Sequence, residues 1–295
     1  MSIKKIFFAA ASIIKLFIII LLLNFNSKAE ENNIKYYSGD NGIIALMYHR
    51  FDEKKYPSTN IQMNIFKEQI STIKELKYKF YDPKDFDDEF KLKKNEKKIL
   101  ITIDDAFLSF YENAWPFLKK EKIPFILFIS TEAVGKFGYM NWDQIKEIKK
   151  EDFVYLGNHS HTHDYLIDFK NEDFIEDINK SINVFKKQIG YNPIFFSYPF
   201  GEYSLFIKNY ISNNFKYSFG QHSGVIDFTK DPYELPRFPI NEKYGDIKRF
   251  KFIINLNPFP FKKMSPEEKF INLKNNPPNF SVEFFEDQKN INNIN

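Results

Sequence analysis

The sequence predicts an α/β fold, a distorted (β/α) barrel of about seven parallel strands. Two patterns carry that expectation. Short unbroken apolar runs, of which Ile43-Ile44-Ala45-Leu46-Met47-Tyr48 is the first, read as strands buried on both faces, and stretches with helical spacing separate them. Strand followed by helix, repeated along most of the chain, builds a parallel sheet covered on its outer face, and enough repeats favour closure.

The elements follow in order. After the first strand, Phe66, Ile70 and Ile73 recur at helical spacing within Ile61 to Leu76, behind the polar Ser58-Thr59-Asn60. Ile99 to Ile103 is the next apolar run and is expected to lead into a helix that starts near Phe107 and reaches Lys120. Pro124 to Ile129 gives another strand, followed by a short helix over Asn141 to Lys149. Phe153 to Leu156, a helix from Glu172 to Ile189 stopped by Gly190, and Ile194 to Tyr198 continue the series. In such a fold the chemistry gathers where the strands end and the connecting loops begin.

The two ends of the chain read differently from its middle. Residues 1–29 place Lys4 and Lys5 before a mostly apolar stretch to Phe25, then Ser27-Lys28-Ala29, the pattern of an export signal peptide. Taken whole, Ile6 to Phe25 approaches the ~20 residues of a bilayer span, so an uncleaved membrane anchor is the alternative. Either reading puts the domain at 30–262 outside the cytoplasm: periplasmic, in the cell envelope or extracellular. Residues 263–295, rich in Asn, Lys and Pro without a sustained period, read as a C-terminal tail, partly disordered, whose Phe280, Phe284 and Phe285 could dock on the barrel.

Composition excludes several classes of function. The formal charge of +3 includes four lysines in residues 1–29, so the remainder is near −1, and no clustered basic excess is left for a nucleic-acid partner. The absence of cysteine rules out disulfides, thiolate zinc sites and a cysteine nucleophile. The fold must therefore be held by its core.

The candidate chemistry lies in scarce residues at strand ends. The histidines are His49, His159, His161, His163 and His222; His49 closes "ALMYH", and three stand in "VYLGNHSHTH". His159 and His163 are four apart, so a helical turn or a converging loop brings both rings to one side. Two imidazoles and one carboxylate make three ligands for a divalent metal, with positions left for water and substrate. The acid pair Asp104-Asp105 ends its own strand. One of the two can bind the metal while the other takes a proton from the water that the ion activates, since a divalent ion lowers the pKa of bound water to about 7. A bland alternative is that either Asp caps the following helix. His161 is expected to face away from its neighbours.

At this point the residues resemble the polysaccharide deacetylase family, also called carbohydrate esterase family 4 or the NodB-homology group, over roughly Ile43 to Phe261. "TIDDA" looks like its T-F-D-D-G element, "HSHTH" like H-[ST]-x-x-H, and "SYPFG" like R-x-P-Y-G. The resemblance implies a NodB-like barrel with Asp104 as catalytic base, Asp105, His159 and His163 on the metal, and Ser160 steadying the loop. It also implies that the backbone N–H of Phe200 helps to hold the oxyanion. The family's Arg in the third element is Ser197 here, so Arg237 of "ELPRFP" is the candidate to orient the base. No late Leu-His element follows His222, but the early "MYH" is similar to the branch of poly-N-acetylglucosamine deacetylases, which makes His49 the general acid and His222 its competitor. Tyr139, Trp142, Tyr198 and Phe200 are candidates to stack on sugar rings.

The resemblance implies removal of N-acetyl groups from an amino-sugar polysaccharide, such as poly-N-acetylglucosamine or a chitin-like or peptidoglycan-like polymer. Zn2+ is the expected metal, and iron, cobalt or nickel would suit similar ligands. Two other functions fit the same residues: an O-acetyl esterase or small-molecule amidase, and a non-catalytic carbohydrate-binding protein. Ser197 and the missing late Leu-His are what favour the last.

Overall fold

The computed structural model describes residues 42–88, 97–271, 274 and 276–284. The expected leader, Phe285 and the last ten residues lie outside them. In chain order the elements are β1 (Ile43–Tyr48), β2 (Arg50–Phe51), β3 (Asn60–Ile61), α1 (Met63–Glu75), β4 (Lys79–Phe80) and β5 (Lys98–Ile103). A π-helical turn at Phe110–Ala114, α2 (Trp115–Glu121), β6 (Phe125–Ile129), α3 (Trp142–Ile148), β7 (Val154–Asn158) and α4 (Asn171–Ile189) follow. The described chain closes with β8 (Phe195–Ser197), α5 (Leu205–Ser212), β9 (Tyr217–Phe219), β10 (Phe238–Pro239), α6 (Ile247–Ile253), β11 (Phe261–Ser265) and β12 (Ser281–Phe284).

The main sheet runs β10-β1-β5-β6-β7-β8-β9, every pair parallel, with β4 added in parallel at the start of β5. The two ends of that path approach each other. Leu235, three residues before β10, bridges Phe219 of β9 and accepts a hydrogen bond from Gly220 N–H at 2.9 Å. The seven-strand sheet is thus curled into the distorted barrel that the alternation predicts.

Side-chain parity sorts the core into layers. On β1 and β5, Ile44, Leu46, Ile99, Ile101 and Ile103 face the helices, meeting Phe66, Ile70 and Ile73 of α1. Their alternates Ile43, Ala45 and Leu100 face the barrel interior with Phe128, Phe195 and Phe219. Gly157 of β7 is required by this interior: a Cβ there would stand 2.3 Å from the Phe128 ring. A third cluster, including Phe174, Ile178, Phe196 and Ile211, seats α4 and α5 against β8.

Three readings are revised. The helix drawn from Phe107 to Lys120 contains Pro116, which has no N–H to continue an i→i−4 ladder, and the segment divides into the π-turn and α2. Neither Asp104 nor Asp105 caps a helix; both carboxylates are used elsewhere. Residues after 261, read as a tail, include the antiparallel pair β11–β12, in which Phe284 faces Phe261 and packs against Phe259 with ring centroids 5.6 Å apart.

Candidate metal centre and active site

The strand parity that fills the barrel also delivers the site. Leu100, Thr102 and Asp104 alternate inward along β5 and its extension, and Asp104 N–H donates to Tyr48 O at 2.9 Å, so the chain stays extended one residue beyond the strand. Asp104 is fully buried, and Arg237, also fully buried, grips it from both sides. Nη1 donates to Oδ1 at 2.7 Å and Nη2 to Oδ2 at 2.8 Å. The guanidinium's other donors reach Ser197 Oγ at 2.8 Å, Thr102 Oγ1 at 3.2 Å and Gly220 O at 2.9 Å. Below it lie the Phe128 and Phe219 rings, 5.4 and 5.9 Å away. Burial pushes the Asp104 carboxyl up, but Arg237 and His159 outweigh it and hold the group below the usual carboxylate range.

At Asp105 the backbone turns left-handed, with φ of 72°, and Ala106 follows with φ of 54°. That turn brings the second acid back toward β7 instead of letting it point to the outer face. Asp105 Oδ1 stands 3.1 Å from His163 Nε2 and 3.5 Å from His159 Nε2, and the two Nε2 atoms are 3.2 Å apart. Asp105 Oδ1 is buried with no donor in hydrogen-bonding geometry. His159 Nδ1 is 2.7 Å from Ser197 O, which fixes its proton there and leaves the Nε2 lone pair facing the other two ligands.

Three donor atoms facing one point suit a divalent cation. Ligands about 2.1 Å from a tetrahedral ion sit about 3.4 Å from one another, close to the separations found here. The donor set of two imidazoles and a carboxylate fits such an ion, and a carboxylate oxygen buried without a donor has no other partner among the described residues. Burial pushes His159 down to about 4, so it is neutral at pH 7, the state that ligates. Asp105 lies well below the carboxylate range because the nearby imidazoles outweigh its burial. His163 is raised, since Asp105 more than offsets its burial.

The loop that carries the histidines is built to hold them. Ser160 and His163 have φ of 65° and 62°, left-handed values that non-glycine residues take at a cost of roughly 1–2 kcal/mol each. Ser160 Oγ accepts from His163 N–H at 3.0 Å. Asp177 of α4 accepts from the His161 and Thr162 amides at 2.8 and 2.9 Å. His161 turns away from the cluster, its Nδ1 2.8 Å from Thr131 Oγ1. Asp177 was not singled out from the sequence, although an acid on the buried stripe of α4, among Phe174, Ile178 and Ser181, is a readable signal.

The other sequence candidates separate into two groups. His49 follows β1, whose last residue Tyr48 is paired with Ile103, the residue before Asp104. Phe200 has φ of 57°, packs its ring on His163 at 4.9 Å and stacks on Tyr165 at 3.9 Å. Tyr139 packs on Phe107, two residues beyond Asp105, at 4.9 Å. By contrast, Tyr198 is fully buried, stacked on Tyr203 with its hydroxyl donating to Tyr233 O at 3.2 Å, so its ring is core and cannot meet a sugar. Trp142 packs between helices against Phe185 at 6.1 Å, because its position at the start of α3 faces α4. His222 is exposed and lines a cavity of about 550 Å³ with Glu234 and Lys269, outside the ligand cluster.

Residues 91–217, which include the acid pair, the histidine loop and "SYPFG", match the family model for polysaccharide deacetylase. Over those residues the chain is similar to the polysaccharide deacetylase family. Among curated polysaccharide deacetylases, the poly-beta-1,6-N-acetyl-D-glucosamine N-deacetylase of Staphylococcus epidermidis is 26% identical over 270 residues, covering 81% of this chain and 92% of that protein. The solved deacetylase PplD of Streptococcus pyogenes, in complex with acetate, aligns with a TM-score of 0.66 at 21% identity, over 73% of this chain and 99% of that one. IcaB from Ammonifex degensii aligns with a TM-score of 0.66 at 24% identity, over 73% and 97%. These likenesses show the same curled barrel.

Proposed function

We propose that this polysaccharide deacetylase removes N-acetyl groups from an amino-sugar polysaccharide of the poly-β-1,6-N-acetylglucosamine type, with a divalent cation, Zn2+ first among the choices, held by Asp105, His159 and His163. The observation that carries the reading is the pairing of that ligand cluster with a second carboxylate, Asp104, locked in place by Arg237. The names of the curated relatives support the polymer class.

When bound, the cation supplies Lewis-acid activation of a water and of the acetyl carbonyl. The chain does the rest. Asp104 Oδ2, 3.8 Å from His159 Nε2, borders the cluster and accepts the proton of the attacking water. Arg237 keeps it ionised and fixes both oxygens, so the acceptor is aimed before substrate arrives. The Phe200 amide, in the left-handed turn that follows Pro199, would donate to the developing oxyanion. His49, which follows β1 beside the end of β5, would donate a proton to the departing amine. Ser197, which favoured a non-catalytic protein, loses that meaning because Arg237 occupies the space a longer side chain there would fill and bonds its hydroxyl.

Export across the membrane is part of the proposal and rests on residues 1–29; among the described residues no helix is long and apolar enough to cross a membrane. The test is acetate release from β-1,6-linked N-acetylglucosamine oligomers by protein of measured metal content. Release that stops on chelation and returns with Zn2+ is the expected result; release from O-acetylated xylan but not from the amino-sugar oligomers would overturn it.

A further inference from the structure

Outside the ligand cluster, the rings of His163, Phe200 and Tyr165 form a chain leading outward from the metal site. Phe200 lies 4.9 Å from His163, and Tyr165 stacks on Phe200 at 3.9 Å with only 4° between the planes. Both aromatic residues stay open to solvent, Tyr165 at 47% and Phe200 at 39%. Nothing in the core explains that exposure. Phe200 takes the left-handed conformation that a bulky residue adopts only where its surroundings hold it, and Tyr165 is fixed by the buried Leu166 beside it and by Asp168 N–H, which donates to Tyr165 O at 3.0 Å. The ring pair is therefore an apolar wall in which Tyr165 shares its loop with the ligand His163 and Phe200 comes from the turn after β8. A cavity of about 550 Å³ begins where the wall ends, lined by Gly201, Glu202, Tyr203, Glu234 and Lys269. Its volume is in the range of a small-ligand pocket.

We propose that the Tyr165–Phe200 pair is the platform for the sugar unit next to the one being deacetylated, and that the chain of the polymer continues from it into the Glu202–Glu234 cavity. This rests on the amino-sugar reading of the metal site. A hexosamine presents axial C–H groups on one face and hydroxyls at its rim, which suits a flat aromatic wall bordered by carboxylates and a lysine. The consequence is a preference for oligomers over single units, set by Tyr165.

The test compares kcat and KM on β-1,6-linked N-acetylglucosamine dimer and pentamer for the wild type, Tyr165→Ala and Tyr165→Phe, each with its metal content measured. The expected result is a pentamer-to-dimer ratio of kcat/KM that falls about tenfold in Tyr165→Ala, chiefly through KM, and is kept by Tyr165→Phe, which retains the ring face. An unchanged ratio in Tyr165→Ala overturns the platform, as does an equal loss in Tyr165→Phe. Calorimetric titration of the pentamer into Asp104→Asn, with and without Tyr165→Ala, reads the platform without turnover: about tenfold weaker binding in the double variant supports it, and equal binding overturns it. Absence of acetate release from every oligomer by the metal-loaded wild type would instead sink the deacetylase reading, while the titration still decides the platform.

Discussion

Replacing Arg237 by Met separates the orienting role from mere structural filling. The wild-type pair is fully buried on both sides and bidentate, at 2.7 and 2.8 Å. Removing one partner of such a pair leaves a buried charge uncompensated, a loss of about 3–5 kcal/mol. Against a domain stability of roughly 5–15 kcal/mol, the variant folds but with a much reduced margin. The sign with pH follows from Asp104. Its folded pKa is held below its unfolded value, so the pair stabilises above about pH 3.9 and that stability is lost as pH falls through the folded pKa. In Arg237→Met the burial of Asp104 is unopposed by the guanidinium, its pKa rises, and the folded variant relieves the penalty by taking up a proton. The deficit measured by urea unfolding is therefore largest at pH 7.5 and shrinks by about 1–2 kcal/mol at pH 5. Asp104→Asn/Arg237→Met restores part of the loss at pH 7.5, because the charge is gone. With the base no longer aimed, kcat falls on the order of 100-fold. A deficit below about 1 kcal/mol, equal at both pH values, would refute the argument.

Asp104→Asn keeps the ligands Asp105, His159 and His163, so metal content by elemental analysis stays near wild type while kcat for acetate release drops about 100-fold or more. His163→Ala removes a ligand: zinc stoichiometry falls, and the rise in Tm that excess Zn2+ gives the wild type, equivalent to about 2.7 kcal/mol at a hundred times Kd, is lost in thermal melts. Ala106 at φ of 54° carries left-handed strain, so Ala106→Gly changes stability by between zero and about +1 kcal/mol in urea unfolding, the relieved strain being offset by the added unfolded-chain entropy. Gly157→Ala drives a methyl against the Phe128 ring, destabilises by about 1–3 kcal/mol and lowers activity, because Phe128 underlies both Arg237 and His159.

The strands of the barrel wall were legible where they are long. Ile43–Tyr48 and Phe125–Ile129 are unbroken apolar runs, Lys98–Ile103 and Val154–Asn158 are mostly apolar, and their sequence alone places His49, the acid pair and the histidine loop at strand ends. Tyr217–Phe219 and Phe238–Pro239 are too short to show any period, and both are recognisable only through their partners, β8 and β1. The same limit applies to local conformation. A left-handed φ at Asp105, Ala106, Ser160, His163 and Phe200 has no signature in a sequence that places no glycine at any of the five. Ring orientation is likewise tertiary: Tyr198 and Phe200 are both aromatic and two apart, yet one is sealed against Tyr203 and the other is open, because the left-handed turn at Phe200 reverses the parity that a strand would have imposed.

The departure at Ser197 shows how an inner barrel layer can exchange a functional group between strands. Thr102, Asp104, His159 and Ser197 all point into the same layer because each sits at an inward position of its strand or just past it. Arg237 precedes β10, which pairs with β1 and borders the seam where Leu235 meets β9. A guanidinium entering from that side still reaches Ser197 Oγ and Thr102 Oγ1, which stand on strands three places apart in the sheet. An Arg at position 197 would come from β8 and compete with Arg237 for the same two Asp104 oxygens, and two guanidiniums cannot be buried against one carboxylate without an uncompensated charge. The small hydroxyl at 197 is therefore the complement of Arg237, and the two positions are coupled. Ser197→Arg alone is expected to cost more than about 3 kcal/mol in urea unfolding, whereas Ser197→Arg with Arg237→Ser recovers a large part of that stability. If the single and double variants were equally destabilised, the layer would not be exchangeable and Arg237 would have a role tied to its own strand.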